Sequence, residues 1–142
     1  MTTSWLIAID NSKPSLKAVD HVIHEAAGRQ AQPKVFLVNV QAPLSSDITR
    51  FIEGAVVKDF HIEAGNAALA AAKAKLVAAG LAYSAHILVG EAAPSIVDFA
   101  KDKNCSMIIM GAHGFGSVIG LFMGSVATKV LHLSTVPVLL IK

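Results

Sequence analysis

The feature that most constrains this chain is an alternation. Five short apolar runs, residues 5–9, 34–40, 82–89, 106–110 and 136–141, are separated by longer segments with helical spacing. Apolar runs of strand length, rich in β-branched residues, read as strands covered on both faces, and their alternation with helices marks a parallel sheet. The helical segments carry their own punctuation. Ser12 is a good N-cap with Pro14 in the first turn, and the helix runs to about Ala27 with Leu16, Val19, Ile23 and Ala26 on one face and Gly28 as its stop. Residues 43–50, with Pro43, two serines and Asp47, read as a loop. A long alanine-rich helix follows over residues 51–79, stopped by Gly80 and interrupted in composition by Gly54 and Gly65. A third helix spans residues 94–103, and a fourth starts near Gly120 or Phe122 and ends at Leu133. No linker, repeat or low-complexity tract divides residues 1–142, so one domain is expected. Right-handed crossovers and short connections favour an α/β, Rossmann-like, doubly wound five-stranded parallel sheet of order 3-2-1-4-5.

In such a sheet a ligand binds beyond the carboxyl ends of the strands, where the winding reverses between strands one and four. That rule singles out Asp10 and the loop beginning at Gly111. The loop reads Met110-Gly111-Ala112-His113-Gly114-Phe115-Gly116-Ser117, continues through Gly120, and reaches Gly124-Ser125 at a helix entry. Glycines let successive N–H groups turn into one concavity, and a helix N-terminus adds orphan donors and a dipole that favours an anion. Ser125 adds a hydroxyl. These are the parts of a phosphate cradle.

Better-known phosphate motifs do not fit. A P-loop needs Lys before Ser or Thr, and Gly116 stands there. A dinucleotide fingerprint follows the first strand and pairs with an acid at the end of the second, but Asn39-Val40-Gln41 has none. A membrane span over residues 105–124 is interrupted by five glycines, and the spacing of Gly116, Gly120 and Gly124 suits helix packing only if the segment spans.

The spacing Gly-x-x-Gly, nine residues, Gly-Ser, met by Gly111, Gly114, Gly124 and Ser125, resembles the ATP-binding signature of the universal stress protein family. The flanking Ile109-Met110, Val126-Ala127, Val130-Leu131 and Val136-Pro137-Val138 are family-like. So are Ile9-Asp10-Asn11-Ser12 at the first turn and Leu88-Val89-Gly90 at the third strand's end. The resemblance implies a cytoplasmic, ATP-binding stress-response protein that acts as a nucleotide-dependent homodimeric switch with little hydrolysis. It implies that Ala8 and Ile9 flank the nucleotide and that Asp10 faces the ribose or a metal-bridged phosphate. Val40 would meet adenine through its backbone, and Met110, Gly111, His113, Gly114, Gly124, Ser125 and Val126 would hold ribose and phosphates. Mg²⁺ would arrive with the phosphates. Two departures stand out: Asn11 replaces a usual Gly, and Phe115 occupies a place often basic, a role that His113 could share.

Composition excludes other classes. A net charge of +2 and 6% aromatic residues offer neither a basic field nor a stacking platform for nucleic acid. Cys105 is the lone cysteine, so no intramolecular disulfide forms and the residue reads as packing. The start of the chain lacks the basic region of a secretory signal. His21 and His24 share a helix face beside Asp20, but no third metal ligand accompanies them; His61 with Glu63 is no stronger, and His86 reads as solvated or hydrogen-bonded. Ser12 is a cap rather than a nucleophile, and no acid pair or triad stands out. The last strand, from Val136 to Ile141, lies at a sheet edge with only Pro137 and Lys142 to blunt it, and the resemblance implies a homodimer through it. A nucleotide-free dimeric module that binds an unknown protein partner is the alternative. A nucleotide α-phosphate transferase would need a Ser-Gly-Gly turn after the first strand, which Asp10-Asn11-Ser12-Lys13 does not supply.

Overall fold

Strand formation follows from side chains that find a core on both sides. In a computed structural model that describes residues 3–115 and 123–142, Trp5 and Ile7 of β1 (Ser4–Ala8) face one apolar cluster while Leu6 faces another. This is the period-two geometry of a strand sandwiched between helices. The other strands are β2 (Lys34–Gln41), β3 (Tyr83–Val89), β4 (Met107–Gly111) and β5 (Val138–Ile141). All pair in parallel in the order β3-β2-β1-β4-β5, as the alternation and crossover rules require. Leu6, fully buried at the centre, is in register with Phe36 on one side and Ile108 on the other.

The described residues form five helices, α1 (Lys13–Ala27), α2 (Ser46–Thr49), α3 (Gly54–Ala78), α4 (Ala92–Asp102) and α5 (Ser125–Leu133), of which the single turn of α2 buries no residue. α1 and α3 cover the face that buries Val19, Leu37, Leu69 and Leu76; α4 and α5 cover the face that buries Phe36, Ile96, Ile108 and Val130. Helices lie on both faces, so β1 and β4 flank the point where the winding reverses.

Several boundaries differ from expectation. α1 is rotated: beyond its first turn, where Pro14 and Ser15 are buried, Ala18, Val19, Val22 and Ala26 are the buried residues, while Leu16 and Ile23 pack at the flanks. Small Ala18 lets the axis approach the sheet, and the larger side chains fill the margins. Residues 43–50 are not all loop, because Ser45 Oγ accepts a bond from Ile48 N (3.4 Å) and starts the single turn of α2. The composition of a loop is also the composition of a cap. α3 begins at Gly54 rather than at Phe51, and it ends before Gly80, whose φ of +68° breaks the helix. Gly65 is no break. A Cβ there would lie 2.6 Å from Ile87 Cγ2, so the glycine lets α3 settle onto β3. The last helix starts at Ser125 rather than at Gly120 or Phe122, because Gly124 is extended (ψ 160°) and serves as its N-cap. Gly116, Ser117 and Gly120 lie outside the described residues. Among the described residues no helix is long and apolar enough to cross a membrane.

Candidate functional site

The carboxyl ends of β1, β2 and β4 open into a cavity of about 490 Å³, within the range that holds small ligands. β1 and the turn after it supply Ala8, Ile9 and Asp10; β2 supplies Val38 and Val40. β4 and its following turn supply Met110, Gly111, His113 and Gly114, and Gly124, Ser125, Val126 and Ala127 enter from the start of α5. Thus the structure brings all eleven site residues expected from sequence to one cavity. Ser12, Ser15, Val38, Ala92, Ile96 and Ala127 line it too and were not singled out beforehand. Val38 was within reach, since it lies two positions from Val40 on the same strand face. Ala92 and Ile96 were not, because nothing in the third helix's sequence says which strand end its first turn overhangs.

The first strand's end is built by local bonds. Asp10 Oδ1 accepts from Ser12 N (2.9 Å), and Ser12 Oγ accepts from Ser15 N (3.4 Å), so Ser12 caps α1 as its position predicts. Asn11 takes φ = +67°, a turn conformation that Asn tolerates. Buried Asn39 donates from Nδ2 to the Ile9 carbonyl (2.7 Å), and Gln41 Nε2 donates to Asn39 Oδ1 (2.7 Å). This chain of amides satisfies backbone that would otherwise be stranded at the mouth of the crevice.

The opposing wall depends on missing side chains. A Cβ on Gly114 would lie 2.7 Å from Asp10 Oδ2, and one on Gly111 would lie 2.6 Å from Pro14 Cβ. At Gly111 the Pro14 and Ser15 backbone (3.0 Å) also stands in the way, so the loop closes on α1 only with glycine there, whereas a side chain at Gly114 would have to push the Asp10 carboxylate aside. Gly124 is the N-cap of α5 and makes no side-chain capping bond, and the first turn carries no acid. The N–H groups of Ser125, Val126 and Ala127 have no intrahelical acceptor by geometry and sit at a positive dipole end. His113 Nδ1 is buried with no hydrogen-bond partner among the described residues. The cavity thus offers unpaired donors at one helix end, an orphaned imidazole nitrogen and one carboxylate. It fits an anion, and its apolar wall of Ala8, Val38, Val40 and Ile96 fits a flat, apolar-faced group. Phe115 is exposed, and among the described residues neither Lys nor Arg lines the cavity.

The remaining titratable residues lie elsewhere. Half-buried His21 approaches Glu25 (3.9 Å), and among the described residues no three His, Cys, Asp or Glu side chains gather to hold a metal. His61 is buried, with Nε2 3.1 Å from the Ala42 carbonyl. His86 lies 3.1 Å from Ser84 Oγ and packs on Phe99 and Phe36 (centroids 4.8 and 5.9 Å); burial, and secondarily the Lys103 charge, lower its pKa. Cys105 is buried against α4 and α5, and burial raises its thiol pKa against a smaller opposing pull from Lys34, as suits packing.

A small doubly wound α/β protein with an anion-fitting crevice at its switch point is the class that this fold and site define. The chain belongs to the universal stress protein family, whose model matches residues 1–142. It is 32% identical to universal stress protein YxiE of Bacillus subtilis over the whole of both chains. Among solved structures it resembles that of the hypothetical protein MJ0577, with 28% identity, a TM-score of 0.83, and 100% of this chain and 96% of that one covered. It also resembles the universal stress protein from Archaeoglobus fulgidus in complex with dAMP, with 26% identity, a TM-score of 0.71, and 100% and 98% covered.

Proposed function

We propose that the cavity binds an adenine nucleotide, with ATP as the working ligand. The observation that carries this reading is the uncapped first turn of α5, which opens into the same cavity as the unpartnered His113 Nδ1 and the glycine wall. The phosphates lie on the N–H groups of Ser125 and Val126 and along Gly111, Gly114 and Gly124. The base lies over Val40 between Ala8 and Met110, and Asp10 takes the ribose hydroxyls. The relative from Archaeoglobus fulgidus, solved with dAMP, supports the base and sugar class. Mg²⁺ would ride on the phosphates, because Asp10 is the one acidic residue of the cavity wall.

The chain works as a single domain over residues 1–142, in the cytoplasm, as a stress-response regulator whose state follows nucleotide occupancy. Hydrolysis is slow or absent. Among the described residues no Lys or Arg lines the cavity to stabilise charge developing on a transferred phosphoryl group. A homodimer forms through residues 136–141. In support, β5 is a sheet edge of apolar residues left half-buried, and its neighbour Pro137 still offers its carbonyl to Ile108 N (3.0 Å).

Denaturing freshly purified protein and identifying what is released tests the reading. An adenine nucleotide is expected from the parent and none from Gly114→Val, whose side chain would strike Asp10. A parent that carries no nucleotide and gives no heat with millimolar ATP, ADP or AMP would overturn it in favour of the nucleotide-free interaction module.

A further inference from the structure

A second cavity, of about 440 Å³, lies on the other face of the sheet and shares no wall residue with the first. Its wall is apolar, built from Leu44, Val57, Ile62, Ile87 and Val89, with Thr49, Lys58 and His61 as its polar members. We propose that it binds a free medium-chain carboxylate, with the hydrocarbon tail inside and the carboxylate on the Lys58 ammonium.

The polar members leave a single anchor. Thr49 Oγ1 already donates to the Ser46 carbonyl (3.3 Å). His61 Nε2 lies 3.1 Å from the Ala42 carbonyl, and because a carbonyl only accepts, that nitrogen carries the proton and is committed. Lys58 is exposed at the mouth, is the one charged residue of the wall, and makes no ion pair among the described residues. One cation above an apolar hollow selects an amphiphile with one negative end, not a nucleotide, whose base and sugar would strand polar atoms here.

The rim argues for a free molecule rather than a lipid surface. Phe51, Val56 and Phe60, on the same stretch of chain as Lys58, are exposed to solvent. Residues 45–63, however, carry Asp47, Glu53, Asp59 and Glu63 against Arg50 and Lys58. That excess of acid repels an anionic membrane, whereas a single carboxylate meets only the lysine.

Calorimetric titration with octanoate, decanoate and dodecanoate, kept below micelle formation, tests the proposal on the whole chain. Affinity should rise by about fourfold per methylene until the cavity is filled. Decanoate should bind about fivefold more tightly than decanol. Lys58→Gln should bring decanoate down to the level of decanol and leave decanol unchanged. Val89→Trp, a strand-compatible residue at an exposed wall position, should abolish binding of both and leave nucleotide occupancy intact. Lys58→Gln changes only an exposed helix position, so it decides the matter even if Val89→Trp lowers the melting temperature. Equal affinity for decanoate and decanol in the parent would overturn the proposal. So would decanoate binding that survives in a folded Val89→Trp protein, or a preference for a basic amphipathic peptide or a phosphatidylglycerol vesicle over decanoate.

Discussion

Of the three helices whose first turns reach the crevice, α1 and α5 flank the glycine wall, and the chain treats their first turns in opposite ways. α1 is closed by its own side chains. Ser12 Oγ accepts from Ser15 N, Ser15 Oγ returns a bond to the Ser12 carbonyl (3.0 Å), Asp10 takes the Ser12 N–H, and Pro14 has no N–H to offer. α5 begins at a glycine that makes no capping bond, with no acid in its first turn. An external anion gains most where the protein has left donors unmatched, so the bare turn is the binding end and the sealed one is scaffolding. Two helix ends facing one cavity need not share one job, and the capping residues tell them apart.

The contrast can be broken most sharply at Ser125. Ser125→Asp places a charge where the phosphates are proposed to sit, and it should weaken nucleotide affinity by about thirtyfold, a change of about 2 kcal/mol. The melting temperature should hold or rise, since the acid satisfies the helix end. Unchanged affinity by calorimetry would show that the two turns do not differ in function. The reciprocal change is Ser12→Ala, which should lower unfolding free energy in urea by about 1 kcal/mol and weaken nucleotide binding far less than Ser125→Asp does. A loss of affinity without a loss of stability would reverse the assignment of roles.

The smallest effect is expected away from the crevice, at His86. Its folded pKa lies below the ordinary imidazole value, chiefly through burial and secondarily through Lys103, so the unfolded chain binds more protons just below pH 6.5. The stability that this histidine contributes is therefore present above pH 6.5 and is lost as pH falls through the folded pKa. Melting temperatures measured from pH 7.5 down to 5.5 should decline less steeply in His86→Phe than in the parent. Parallel curves would show that the aromatic cluster does not couple to protonation.

Much of the fold is written in local signals that survive without tertiary context. Five apolar runs, the Ser12 cap and the place of the glycine loop after the fourth strand were enough to give the sheet order and to bring Asp10 opposite Gly114. What escaped the sequence depends on contacts between distant segments. Spacing alone did not show that Ala18 and Val22, rather than Leu16 and Ile23, would face the sheet, because the axis is set by how closely α1 approaches its neighbours. His61 stood out in sequence only as a weak metal ligand beside Glu63, yet it is buried where the chain leaving β2 folds back and offers the Ala42 carbonyl. Ser15, Ala92 and Ile96 joined the cavity through the placing of α1 and α4 over the strand ends, which no motif encodes.

The seat of Ile87 against Gly65 has a consequence for how such a sequence can drift. Any side chain at position 65 overlaps the isoleucine, so the two positions form an epistatic pair: a larger residue in the helix becomes acceptable only after a smaller one has appeared in the strand. Ile87 also lines the second cavity, so that exchange would enlarge the cavity as a side effect of repairing the packing. The volume of that cavity is therefore inherited together with a glycine in the middle of a helix, on the far side of the residue that walls it.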